Sequence, residues 1–282
     1  MIESPPVAQR HELARIVARE SAETLVGQSS GLRVEFVSRL MIPVARTIAG
    51  RFVDYDRMLG AGLSEGAGWI VQDATGGVDV EGREHVPQDR PVLVVANHPG
   101  LSDAVSLLAA LGRKDAWIVV AEYPFLRAMR LASRRFIFVP ASGRMRVSAV
   151  RGILSRLGAG ETVLLFPAGG LELDPALSLD GALSSLASWS RSIKLLARLA
   201  RDALILPALV RGAVSSSAYN HPVARRRHTL KERQRMASLL QLAMPSFRRG
   251  RVSVAFGAPI RVTAGDVHAS VIAAVRGLMT ST

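Results

Sequence analysis

Cysteine is absent from the 282 residues. That excludes disulfides, a thiol nucleophile and any thiolate-based zinc site, and it allows a reducing compartment. Aromatic residues are scarce at 5%, which leaves few rings to stack on the bases of a nucleic acid. Long apolar runs are also missing. A bilayer-spanning helix needs roughly 18 apolar residues. The most apolar stretches here, residues 91–96 and 204–210, are short and punctuated. They read as buried strands, and any work at a membrane is expected from its surface. The opening MIESPPVAQRHELARIVARE carries early acids and prolines and no apolar core, so no secretory signal is expected there. Acids are the minority charge, and the formal net charge is +13. This favours an anionic membrane surface, a nucleic acid or a phosphorylated substrate; it also fits a basic, solvated surface.

What is present is an alternation. Hydrophobic residues make up 49% of the chain, enough for a sizeable core. Residues 11–26 and 34–52 have helical spacing, and Pro43 is expected to bend or split the second helix. Residues 60–77 are rich in glycine and small residues and read as a loop, hinge or linker. From Val78 onward, short Val/Ile/Leu runs alternate with helical stretches: 78–82, 91–97, 117–121, 136–140, 162–167, 204–210 and 252–256 as strands. Helices are expected around 102–111, 124–132, 145–157, 183–201, 230–242 and 267–279. Strands without polar alternation are buried on both faces. The expected fold is therefore α/β, a mostly parallel central sheet flanked by helices, with a helical N-terminal extension and linker over 1–77 and one catalytic domain over 78–282.

The densest chemistry lies in VVANHPGLSDAVSLLAAL, residues 94–111. Ser102 is a plausible helix N-cap, and Asp103 falls in the first turn, where the helix dipole favours a carboxylate. His98 sits in the turn shaped by Pro99 and Gly100. Such a turn can fold the imidazole back to Asp103, which would hold one ring nitrogen as N–H and leave the other as a base. The pair taken alone is more readily read as a turn histidine beside a capping acid. The chain contains no G-x-S-x-G elbow and no G-x-x-x-x-G-K-[ST] loop, which disfavours a serine hydrolase and a P-loop. The remaining histidines, His11, His85, His221, His228 and His268, show no ligand spacing around His98, so no metal site is expected.

N-H-P-G-L-S-D resembles the N-H-x-x-x-x-D motif of the glycerolipid acyltransferase family, which contains glycerol-3-phosphate and lysophosphatidic acid acyltransferases. Further blocks follow in order. Val78–Gly82 resembles the family's entry strand, with Glu84 and Pro87 after it. Arg135–Pro140 stands at the second block, Thr162–Gly169 at the F-P-x-G block, Leu204–Val210 around Pro207 at the fourth, and Val252–Pro259 at the closing strand. The resemblance spans roughly residues 78–260. It implies an enzyme of phospholipid biosynthesis that moves a fatty acyl chain from acyl-CoA or acyl-carrier protein to a hydroxyl of a lysophospholipid or related lipid. His98 would be the general base and Asp103 its support, with no cofactor beyond the thioester co-substrate. Asn97, Phe166, Pro167, Gly169, Gly170 and Pro207 would contribute to substrate binding. A thioesterase, or a lipid-binding member without catalysis, is the alternative.

Two blocks depart from the family pattern. Its F-P-E-G-T-R-S reads Phe166-Pro167-Ala168-Gly169-Gly170-Leu171-Glu172 here, closer to the F-P-A-G form of hemolysin-type acyltransferases. The arginine that commonly ends the second block is missing; Arg144 and Arg146 follow and could substitute, since a guanidinium can hold phosphate bidentately, and surface charges at the start of a helix are the other reading. Glu172 and Asp174 could replace the lost acid, but the expectation is that they are loop charges before Pro175. Residues 221–251 carry Arg225, Arg226, Arg227, His228, Lys231, Arg233, Arg235, Arg248, Arg249 and Arg251, with Leu239, Leu240, Leu242, Met244 and Phe247 between them. That mixture suits an anionic membrane; a solvated insertion is the other reading, and nucleic acid is not expected. The resulting expectation is a peripheral protein on the cytoplasmic face of a membrane.

Overall fold

The computed structural model describes residues 6–26, 31–140, 146–261 and 266–281. Its strands are β1 (Val78–Glu81), β2 (Val92–Ala96), β3 (Ala116–Ala121), β4 (Phe136–Val139), β5 (Thr162–Leu165), β6 (Leu204–Arg211) and β7 (Val252–Phe256). The helices are α1 (Pro6–Val26), α2 (Gly31–Ala61), α3 (Leu63–Ala74), α4 (Asp103–Leu111), α5 (Pro124–Ala128), α6 (Arg146–Gly158), α7 (Leu179–Ser185), α8 (Ser192–Leu199), α9 (Ser216–Tyr219), α10 (Pro222–Arg225), α11 (Leu230–Ala243) and α12 (Val267–Thr280).

The strands form one sheet in the order β1-β7-β6-β2-β5-β3-β4. Five strands are parallel. β1 and β7 are parallel to each other and run against the rest, through the antiparallel β6–β7 pair. The sheet is thus mostly parallel, flanked by helices on both faces. β2 shows why. Val92, Val94 and Ala96 enter one core with Leu107, Leu108 and Leu111 of α4 and Leu63, Ala67 and Ile70 of α3. Leu93 and Val95 enter the other with residues of α6, α7, α8 and α12. A strand buried on both sides has no polar face to show, hence the unbroken apolar run.

Three expectations for the chain's path are corrected. Residues 60–77 are not a linker: α2 runs to Ala61 and α3 occupies Leu63–Ala74. Two of the glycines serve close packing there. A Cβ at Gly66 would stand 2.3 Å from the carbonyl oxygen of Met58, and one at Gly60 would strike Leu131. Of the bend or split expected at Pro43, the split does not occur: α2 continues through it. Losing one helical hydrogen bond and straining a turn costs about 3 kcal/mol, and burial of Ala45, Ile48, Ala49 and Val53 against Leu13, Ala14, Val17 and Ala18 of α1 offsets it. The helix expected over 183–201 is broken into α7, a 3-10 turn at Leu186–Ser188 and α8, with Trp189 extended between them.

Candidate active site

β2 is the centre of the sheet, with β5 on one side and β6 on the other. Those two strands leave β2 in opposite directions, the arrangement in which a crevice opens beyond the strands' carboxyl ends. His98 lies two residues past the end of β2, Phe166 one residue past the end of β5, and residues 212–215 follow β6. The three segments meet at one point.

Asn97 is fully buried. Its side-chain nitrogen donates to the Val210 carbonyl at 2.9 Å, and its oxygen accepts the Val210 N–H at 2.7 Å. Both ends of the amide are engaged by β6, so Asn97 fastens the turn to the sheet. Next to it, His98 Nδ1 lies 2.7 Å from Asp103 Oδ2. An ionised carboxylate can only accept, so Nδ1 carries the proton and Nε2 is free. The same carboxylate takes the N–H of Gly100 at 3.1 Å and of Ala104 at 2.6 Å. Asp103 is buried while the His98 side chain is 28% exposed: the support is dry and the base reaches the surface. Phe166 stacks on the imidazole, with ring centres 4.6 Å apart. Burial disfavours a charged His98, but the Asp103 charge and hydrogen bond, with Glu172 beyond, outweigh it and hold the imidazole pKa above its ordinary value. Ser102 stands at the N-cap of α4 as expected, but its side chain does not cap the helix: the hydroxyl donates to the Ala213 carbonyl at 3.1 Å, which ties the turn to the segment after β6.

Glu172 and Asp174 are not loop charges in solvent. Glu172 is 2% exposed and Asp174 fully buried. Glu172 Oε2 accepts the His98 N–H at 2.9 Å, Oε1 accepts the Trp189 indole N–H at 2.7 Å, and the Glu172 N–H donates to the His98 carbonyl at 2.8 Å. Asp174 accepts from Ala176, Gly212 and Val214. Gln234 of α11, also buried, donates to the carbonyls of Pro99 and Glu172 and accepts the Asp174 N–H. Burial pushes both carboxyl pKa values up, against the pull of these N–H donors. Sequence reasoning undervalued Glu172 and passed over Trp189 and Gln234. The one available signal was the presence of two acids within three residues right after the F-P-x-G block.

The other expected residues distribute unevenly. Pro167 is buried, and its carbonyl accepts the Ser190 N–H at 3.0 Å. Gly169, at φ +67°, and Gly170 are exposed, with open space where a Cβ would stand. Pro207 is buried within β6, opposite Val95 in register, so it shapes the sheet beneath the site. Arg144 lies outside the described residues, and Arg146 opens α6. Of the apolar residues in the basic stretch, Met244 is exposed, but three others turn inward. Leu240 and Phe247 pack with Val214 and Tyr219, and Leu242 packs on the α1–α2 core. Arg233 binds the Tyr219 carbonyl and the Asn220 side chain; Arg248 caps the end of α11 through the Gln241 and Leu242 carbonyls; Arg251 pairs with Asp79. Arg225, Arg226, Lys231, Arg235 and Arg249 remain exposed.

A model of the family described as Acyltransferase matches residues 77–211. No curated protein sequence matches the chain. Among solved structures, the chain is similar to the 1-acyl-sn-glycerophosphate (LPA) acyltransferase PlsC from Thermotoga maritima. The two are 16% identical, aligned over 97% of this chain and 94% of that one, with a TM-score of 0.49.

Proposed function

We propose, from the match of residues 77–211 to the acyltransferase family model, that the protein moves a fatty acyl chain from acyl-CoA or acyl-carrier protein to a hydroxyl of a lysophospholipid or related lipid. The observation that carries this reading is the 2.7 Å contact between His98 Nδ1 and the buried Asp103 carboxylate. It sits at the carboxyl end of the central strand. Nε2 takes the proton of the acceptor hydroxyl as that oxygen attacks the thioester carbonyl carbon. The tetrahedral adduct collapses, the C–S bond breaks, and the imidazolium returns its proton to the departing thiolate. Asp103 supports the imidazolium between these steps, and Phe166 holds one face of the ring. Gly169 and Gly170 leave room for an acyl or acceptor group beside it. Holding both substrates at the base can supply about 7–11 kcal/mol of the barrier reduction. A phosphate on the acceptor would be met by Arg144 and Arg146.

The same reading places the protein at an anionic membrane, on the cytoplasmic face. No helix among the described residues is long and apolar enough to cross a bilayer. Support comes from α2, where Leu32, Phe36 and Leu40 form an outward stripe, 84%, 65% and 64% exposed, continued by Val44. Arg33, Arg39 and Arg46 lie exposed around it. An apolar stripe with flanking cations is what an interfacial helix presents.

Thiol release from a long-chain acyl-CoA and from an acyl-carrier protein, with and without a panel of lysolipids, tests the proposal against His98→Ala. Release that requires an acceptor and vanishes in the variant is the expected result. Release without an acceptor would make the protein a thioesterase. Liposome binding without release from either donor would make it a lipid-binding module.

A further inference from the structure

The F-P-x-G block carries Ala168 and Leu171, so neither contributes a charge beside His98. Yet a carboxylate reaches the site from the same segment, four residues beyond Ala168. We propose that Glu172 is a positioning residue: it clasps the main chain of His98 and sets a second negative charge near the imidazole, so that the imidazolium formed in acyl transfer is supported by Asp103 and Glu172 together.

The geometry has three parts. First, Glu172 and His98 exchange two hydrogen bonds, His98 N–H to Oε2 at 2.9 Å and Glu172 N–H to the His98 carbonyl at 2.8 Å. The backbone that aims the imidazole is thereby held by a second contact, besides the one Asn97 makes to β6. Second, both carboxyl oxygens accept N–H bonds and neither donates, since Oε1 is taken by the Trp189 indole. Burial raises the Glu172 pKa on balance, and the two N–H donors and the nearby His98 pull against that rise. Third, the carboxylate cannot swing away. Gln234 holds the Glu172 carbonyl at 2.6 Å and bridges it to Pro99 at 2.7 Å, while Asp174 anchors the following turn to Gly212 and Val214. Trp189, which donates to the carboxylate, lies in the break between α7 and α8. The charged groups facing Glu172 are His98 and, from α4, Asp103; Asp174 follows in its own segment. The donors from α11 and the α7–α8 break, Gln234 and Trp189, are neutral.

The kinetic half of the inference rests on the acyl-transfer reading; the electrostatic half does not. The experiment therefore has two readouts on Glu172→Gln. NMR titration of the six histidines, with His98 assigned by its loss in His98→Ala, needs no turnover. The His98 transition is expected to move to lower pH in Glu172→Gln. Thiol release is expected to show kcat reduced about 10- to 100-fold with little change in KM, because the base is misaimed rather than the substrate lost. A residue that only stabilises the fold would lower the melting temperature and leave the His98 titration and the kcat of the folded fraction unmoved; that result would overturn the proposal. Should Glu172→Gln fail to fold, Glu172→Asp keeps the charge but shortens the reach. Reduced kcat with His98 still titrating above its ordinary value would support the proposal, and unchanged kcat would overturn it. If wild-type protein transfers no acyl group, the functional reading fails while the His98 titration still decides the role of Glu172.

Discussion

Consider Asp103→Asn, which keeps the size of the side chain and removes its charge. In the wild type the carboxylate accepts from Nδ1 of His98 at 2.7 Å, and also from the N–H groups of Gly100 and Ala104. An asparagine has one acceptor oxygen for these three donors. Turning its NH2 toward the ring makes Nδ1 the acceptor and moves the imidazole proton to Nε2, the atom that has to receive the hydroxyl proton. The same wrong-tautomer change in the histidine–aspartate pair of serine hydrolases costs about 10⁴-fold in kcat, which corresponds to about 5 kcal/mol of lost barrier reduction. We expect a loss of about 10³- to 10⁴-fold here, since Asp103 is buried and cannot be replaced by water. The pH profile adds a second signature. The base works neutral, so the wild-type rate rises with pH through the His98 transition. That transition lies above the ordinary histidine value, because Asp103 and Glu172 outweigh the burial that opposes charging. In Asp103→Asn the limb should move to lower pH while the plateau collapses. Folding follows the same linkage. A histidine pKa raised by folding contributes stability below its unfolded value, and that contribution is lost as pH rises through the folded value; the variant should lose this slope. Thiol release at saturating acceptor, together with denaturation midpoints across the same pH range, measures both. A kcat within tenfold of wild type, or an unmoved acid limb, would refute the assignment.

Three further outcomes follow from the packing. Asn97→Ala leaves the buried N–H and C=O of Val210 without partners and should cost about 2–4 kcal/mol in chemical denaturation; a loss under about 1 kcal/mol would mean that water or a neighbour replaces the amide. Gly66→Ala forces a methyl group against the Met58 carbonyl and should destabilise by about 1–3 kcal/mol, whereas in a loosely packed helix the same change would stabilise by up to about 1 kcal/mol, so the sign of the shift decides. Replacing Leu32, Phe36 and Leu40 with serine should reduce binding to anionic vesicles at least about tenfold while leaving the melting temperature in place, because these side chains face solvent; unaltered sedimentation would remove α2 as the docking face.

The sheet and the histidine–aspartate pair were readable because each is written locally. The valine-rich run Val92–Ala96, set between Pro91 and Asn97, reads as a strand buried on both faces, and five positions with Pro99 and Gly100 between them let His98 reach Asp103 through a single turn. The misread segments share a different cause. Gly60, Gly62, Gly66 and Gly68 look alike in a linker and in a tight helix contact, since what separates the two is the neighbouring backbone. Leu240, Leu242 and Phe247 made an apolar face beside cations, yet they face residues brought in from elsewhere in the chain. Glu172 beside Pro175 reads as a solvated loop acid until its donors arrive.

By itself, then, the sequence determined the layered α/β class, the position of the central strand and the pair at its end, because periodicity and short spacing act within a few residues. Only the tertiary structure decided that β1 and β7 run against the other strands, that Asn97 locks onto Val210 at 113 residues' distance, and that Glu172 reaches back 74 residues to hold His98. Backbone N–H and carbonyl groups carry no residue identity, so a contact made to them at long range leaves no trace in the order of side chains; it exists only once the sheet order brings the strand ends together.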